Sequence, residues 1–190
     1  MKLHALTIAL LASTGLANPI RYDVRQPIYT LRLSSPNPSL NNRYLTSNNS
    51  RLGIHPSPPT TPPIRFYPIP NPATGLAELR TVPPKDGDGA ATATSVTLMG
   101  ANGLLDLASL ADPAAAAAPA GTTVDWTSFR LLEAGLLEYG APGADGAWVA
   151  FPAAGAAAGE AGWSVKWKDV NAWTTANYMP VQVVYELVRE

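Results

Sequence analysis

The chain has 190 residues, 13 Lys and Arg against 14 Asp and Glu, no cysteine, and 46% hydrophobic against 14% charged residues. This length suits one domain that buries its own core, and without cysteine there is no disulfide, thiol nucleophile or thiolate metal site. With a net charge of −1 and its Arg and Lys scattered singly from Arg21 to Arg189, the chain lacks the clustered basic face by which a nucleic-acid binder releases counterions.

Met1-Lys2-Leu3-His4 leads into an apolar run from Ala5 to Ala12, and Ser13-Thr14-Gly15-Leu16-Ala17 follows with small residues three before and one before a cut after Ala17. This layout predicts a secretory signal peptide over residues 1–17. Its apolar run is far short of the roughly 20 residues of a spanning helix, so no membrane association is expected after its removal. Without Lys2 the basic residues number 12 against 14 acidic, a net charge of −2. Residues 18–27 are expected to form a lead-in and residues 28–190 a single β domain, secreted to the extracellular space or cell wall.

From there the apolar residues come in short bursts, many of period two, bounded by turn residues. In chain order they are Leu31/Leu33, Tyr44-Leu45, Leu52/Ile54, Phe66 with Ile69, Leu79 with Val82, and Val96 with Leu98-Met99. Then follow Leu104-Leu105/Leu107, Trp126 with Phe129/Leu131, Leu136-Leu137/Tyr139, Trp148-Val149 with Phe151, Trp163/Val165/Trp167, and Val181/Val183/Tyr185/Leu187. These bursts predict twelve strands.

Low-complexity stretches separate some of them. The Pro-rich His55 to Pro63 is expected to be an extended surface loop, because proline ends ladders and helices alike. Ala111 to Thr123 and Ala153 to Gly162 are alanine-rich, but Pro113, Pro119, Gly155, Gly159 and Gly162 punctuate them, so loops rather than helices are expected.

Tyr44, Val96 and Trp148 stand at equal spacing, and each opens the second burst of a group of four. Three four-stranded units resemble the β-trefoil superfamily, over roughly residues 28–188 and by spacing rather than by any family motif. The resemblance implies an all-β closed barrel in which Pro180 to Leu187 pairs with Tyr29 to Leu33; an irregular β-sandwich is the alternative. The chain also resembles the small, cysteine-free secreted proteins of filamentous fungi, in its signal peptide and in the closing segment Gly162 to Asp169.

For chemistry, only His55 remains after signal removal, there is no Gly-x-Ser-x-Gly elbow, and one histidine without cysteine does not make a zinc site. Carboxylate-only glycoside hydrolysis would draw on Asp106, Asp112, Asp125, Glu133, Glu138, Asp145, Glu160 or Asp169, which no motif gathers. Lys85 to Gly89 reads as an Asp-Gly turn rather than a calcium loop. No catalytic residue, metal or cofactor is expected. Asn48-Asn49-Ser50 is an acceptor for N-glycosylation at Asn48.

The C-terminal aromatic residues are the lead on binding. Trp163, Val165 and Trp167 share one strand face and are expected in the core. Trp173 and Tyr178, with Asp169 and Asn171 beside them in a polar connection, have the makeup of a sugar site: rings for apolar C–H faces, polar groups for hydroxyls. The competing expectation is that Trp173 caps the barrel bottom. The trefoil resemblance implies a carbohydrate binder, a protease inhibitor or a signalling ligand. The Gln-x-Trp of ricin-type lectins is absent, since Gln26 and Gln182 are followed two residues on by Ile28 and Val184. The resulting expectation is a non-catalytic secreted protein whose partner is polysaccharide or an extracellular protein. The alternatives are an inhibitor acting through loops 55–63, 83–95 or 111–123, and an effector-like or wall-coating protein.

Overall fold

The computed structural model describes residues 26–55, 62–83, 93–153 and 162–189. The expected signal peptide, most of the Pro-rich loop, the Lys85 to Gly89 turn, Glu160 and most of the second alanine-rich stretch lie outside them. Among the described residues there is no helix, and strands form throughout. They are β1 (Tyr29–Ser34), β2 (Thr46–Asn48), β3 (Arg51–Ile54), β4 (Arg65–Asn71), β5 (Leu76–Thr81), β6 (Ser95–Ala101) and β7 (Leu104–Leu110). After these come β8 (Thr123–Asp125), β9 (Phe129–Leu131), β10 (Leu136–Tyr139), β11 (Gly146–Pro152), β12 (Trp163–Asp169), β13 (Met179–Pro180) and β14 (Gln182–Leu187).

Every pairing is antiparallel, and six strands close on themselves. Around the ring β1 pairs with β4, β4 with β5, β5 with β9, β9 with β10, β10 with β14, and β14 with β1. Closure leaves these six strands without the open edge that invites association. The last strand returns to the first in register, from Tyr29↔Leu187 to Ser34↔Gln182, as the sequence predicts. The sandwich alternative is thereby set aside.

Each third of the chain supplies two barrel strands and, between them, one hairpin: β2–β3, β6–β7 and β11–β12. The hairpins pair with one another through β3, β7 and β12. Tyr44 enters the first by an isolated bridge to Arg32, while Val96 and Trp148 lie in the opening strands of the other two, so the equal spacing of these residues marks equivalent places in three units. Two strands were not expected: β8, added to the edge of β6, and β13, added to β11. Trp126 falls in a bend between β8 and β9 rather than in a strand.

The core follows from alternation. In β1 Leu31 and Leu33 point inward and are fully buried while Thr30 and Arg32 are only half-buried. One cluster joins these leucines to Leu52, Phe66, Leu79, Leu98, Leu107, Phe129, Leu137, Trp148 and Val183, drawn from all three units. Alternation fails in β11, where four consecutive residues from Trp148 to Phe151 are buried. One face of that strand meets the core and the other is covered by the segment containing β13.

The seam between β1 and β14 carries a charged cluster. Arg32 Nε donates to one carboxylate oxygen of Glu186, the Tyr44 hydroxyl donates to the other at 3.1 Å, and Arg32 Nη1 donates to Asn42 Oδ1 at 3.0 Å. The hydrogen bond from Arg32, joined by that from Tyr44, holds the Glu186 carboxyl below its usual 4.5. A depressed folded-state value means stabilisation that is present above the unfolded value and lost as pH falls through the folded one. Glu186→Gln is therefore expected to cost about 1 kcal/mol or less at neutral pH, since Glu186 is more than a third exposed. That cost should shrink to nothing as pH drops below 4.5, read from denaturant midpoints of both proteins along an acid series.

Candidate functional site

The connection from β12 to β13 holds the residues singled out for binding, and its first turn is tightly built. Asp169 Oδ1 accepts the Asn171 N–H at 2.8 Å and the Asp169 carbonyl accepts the Ala172 N–H at 3.0 Å, an Asx turn that ends β12. Neighbouring loops pin the same turn: the Asp169 N–H donates to the Gly103 carbonyl and the Val170 N–H to the Asp145 carbonyl, both at 2.8 Å. Gly103 has φ +73°, and a Cβ there would meet the Asp169 Cβ at 2.8 Å and the Ala172 Cβ at 3.2 Å, so glycine lets the β6–β7 turn approach this closely.

Ala172 takes the buried position in this turn, and Trp173 is left 84% exposed. The expectation that Trp173 caps the barrel bottom is corrected: the small side chain fills the space against Gly103, and no room remains for an indole. Asn171 is exposed too. Asp169 serves here by shaping the turn, with one carboxylate oxygen already engaged by Asn171.

Tyr178, 38% exposed, lies at the other end of the connection, its ring 5.6 Å from that of Phe151. Lys168 links the two ends, its Nζ 5.9 Å from the Tyr178 ring centre and 3.3 Å from the Asp169 carbonyl oxygen. Lys166 continues the row, with Nζ 5.5 Å from the Phe151 ring centre and 2.9 Å from Asp106 Oδ1. The outer face of the β11–β12 hairpin thus carries two aromatic rings interleaved with two lysines. Asp169 holds Asn171 by a hydrogen bond and Lys168 spans from Asp169 to Tyr178, while among the described residues no hydrogen bond or ring contact ties Trp173 to them. Sequence reasoning missed Phe151, Lys166 and Lys168, although the alternation of Ser164, Lys166 and Lys168 against the tryptophan face was the available signal.

On the inner face of the same hairpin, Trp148 and Trp167 pair across the strands and pack edge to face at 5.4 Å, with Tyr139 at 5.7 Å from Trp167. Burial, and the Asp125 carboxylate that accepts the Tyr139 hydroxyl proton at 3.0 Å, raise the Tyr139 pKa above its usual 10.0. The Trp148 indole N–H donates to the Leu137 carbonyl at 2.6 Å. Trp167, only 6% exposed, has no hydrogen-bond partner for its own indole N–H among the described residues. A buried unpaired donor costs about 1–3 kcal/mol, so it calls for an explanation. Beside it is a cavity of about 160 Å³ lined by both indoles, Leu137, Gly146, Val181 and Gln182 among others.

Several of the remaining candidates are held in local structure. Asp112 accepts the Ala115 N–H, Asp125 serves Thr127 and Tyr139, and Glu138 lies 3.9 Å from Arg130. His55 Nε2 lies 3.2 Å from the Arg51 carbonyl oxygen, with no acid or hydroxyl partner among the described residues. Among the described residues no group of three or more His, Cys, Asp or Glu could hold a metal ion. A larger cleft of about 620 Å³ runs past Thr30, Tyr44, Pro62 and Glu186, but Glu186 is committed to Arg32 and Tyr44. Asn48 is exposed at the tip of the β2–β3 hairpin, followed by Asn49 and Ser50 at φ 48° and 65°, the left-handed pair of a tight hairpin turn. No known protein family, curated protein or solved structure matches the chain.

Proposed function

We propose that this chain is a secreted, non-catalytic binding protein of β-trefoil type that holds polysaccharide, such as that of a cell wall, through the connection between β12 and β13. The observation that carries this reading is Trp173, 84% exposed on a turn that four hydrogen bonds to and from residues 169–172 keep in shape. A tryptophan gives up much favourable burial by standing in water, and a rigid anchor recovers it by stacking on the C–H face of a sugar ring. Tyr178 extends the apolar surface, and Lys168, Asn171 and the free side of Asp169 offer hydroxyl partners. The trefoil assignment draws on the closed ring of six strands and on three hairpins, one from each third of the chain.

Retention of the purified protein on insoluble chitin, β-glucan and cellulose tests the reading. Trp173→Ala is expected to weaken retention on the bound polymer by tenfold or more, as truncating an aromatic anchor worth about 2 kcal/mol does. Its folding stability should stay within about 0.5 kcal/mol of the parent, because an exposed side chain supports little structure. Retention unchanged by this substitution, or none on any polymer, would overturn it. The rival inhibitor reading is favoured by the Ala111 to Thr123 connection, which is almost wholly exposed up to β8. It predicts inhibition in a protease panel that Trp173→Ala leaves intact.

A further inference from the structure

We infer that the cavity between Trp148 and Trp167 is a second ligand site, which takes a single neutral sugar unit with one of its oxygens accepting the Trp167 indole N–H. The inference rests on the carbohydrate reading above and adds a subsite on the opposite face of the same hairpin. Three observations converge on it. The Trp167 N–H is buried and unpaired among the described residues, while the neighbouring Trp148 N–H, in the same aromatic pair, is satisfied by Leu137. Buried donors of this kind are almost always paired, so an acceptor from outside the chain suits this one.

Gly146 lines the cavity beside that donor: a Cβ at this position would lie 2.9 Å from Trp167 Nε1, 3.0 Å from the Asp169 Cα and closer still to the Lys168 carbonyl oxygen. Glycine, which the Lys168 backbone already requires here, leaves the donor's side of the cavity without a side chain. The volume, about 160 Å³, is also right for one ring. Cavities of about 150 Å³ hold a six-membered ring such as benzene.

The lining selects the chemistry. Trp148, Trp167, Leu137 and Val181 present apolar surface to ring C–H groups, while Glu138 and Gln182 bring a carboxylate and an amide for hydroxyls. No Lys or Arg lines the cavity, and Glu138 disfavours an anion, so the sugar is neutral rather than acidic.

The test uses the full chain, labelled with 15N and titrated with glucose, mannose, galactose and N-acetylglucosamine. The Trp167 indole resonance is identified by its loss in Trp167→Phe, which keeps a ring against Trp148 and removes the donor. One of these sugars is expected to shift that resonance saturably, and Trp167→Phe to weaken its binding about fivefold to tenfold, the worth of one hydrogen bond. Gln182→Ala, at an exposed strand position, serves as the second variant should Trp167→Phe disturb packing, and is expected to weaken the same sugar. An indole resonance that no sugar moves, or affinity equal to the parent's in both Trp167→Phe and Gln182→Ala, overturns the cavity site. Polymer retention that persists in that case leaves the Trp173 reading standing alone.

Discussion

Phe129→Ala is expected to destabilise the protein by about 3–5 kcal/mol, the range for removing a fully buried aromatic side chain. Phe129 is 1% exposed and lies in β9, a three-residue strand that joins β5 to β10. Its link to β5 is a single register pair, Ala77↔Phe129, and Tyr139 is its partner on β10. Where the ladder is this short, side-chain packing must hold the barrel shut, so the cavity left by alanine falls at the weakest seam of the ring. For a chain of this length each kcal/mol lowers the melting temperature by about 2–4 °C, which puts the expected shift near 6–20 °C. Thermal and urea unfolding of the two proteins measures it. A loss under about 1 kcal/mol would mean that the hairpins, rather than the closed ring, carry the fold.

Gly53→Ala is expected to be comparably damaging, by overpacking rather than by a cavity. Gly53 lies in β3, opposite Ser164 of β12, where two of the three hairpins meet. A Cβ there would sit 3.2 Å from the Trp163 carbonyl carbon and 3.3 Å from the Ser164 Cα, and closer still to the Trp163 oxygen. All three are backbone atoms, so no rotamer change relieves the clash and β3 must separate from β12. The cost should reach about 3 kcal/mol or more, the upper end for an added methyl in a packed interior. Gly121→Ala is the control: its Cβ would meet nothing, and with φ +81° it carries only the left-handed backbone cost of about 1–2 kcal/mol. Equal denaturation midpoints for the two variants would show that the hairpins do not approach as closely as their register requires.

The two residues illustrate how far local pattern reaches. Phe129 was legible as a strand residue from its alternation with Leu131, and the seam between β1 and β14 from the apolar alternation at both ends of the chain. Eleven of the twelve bursts fall in strands, Tyr44-Leu45 lies just ahead of β2, and Val82, Trp126 and Val181 fall just outside the strands expected to hold them. Gly53, by contrast, looks like any small residue between Leu52 and Ile54. Its importance comes from a carbonyl 110 positions further along the chain.

The binding site divides in the same way. Trp173, Tyr178, Asp169 and Asn171 were visible as aromatic and polar residues in one short connection, but their arrangement was not. Trp173 faces outward because Ala172 fills the space beside Gly103, a residue of another hairpin. Lys166 joins the surface through Asp106 and the buried Phe151 underlies Tyr178, each remote in sequence from its partner. The Trp167 N–H, unpaired among the described residues, had no signal in the sequence, whereas the Trp148 N–H lies within reach of the Leu137 carbonyl.

What the sequence determined alone is what depends on a residue and its near neighbours. Period-two alternation sets which side chains share a strand face, proline and glycine set where strands stop, and the equal spacing of Tyr44, Val96 and Trp148 sets how many units there are. Only the tertiary structure decided which face is covered, which glycine has a backbone pressed against it and which donor goes unpaired. Each of these depends on atoms brought close by the closing of the ring and the meeting of three hairpins, and contacts over such separations leave no trace in the local order of residues.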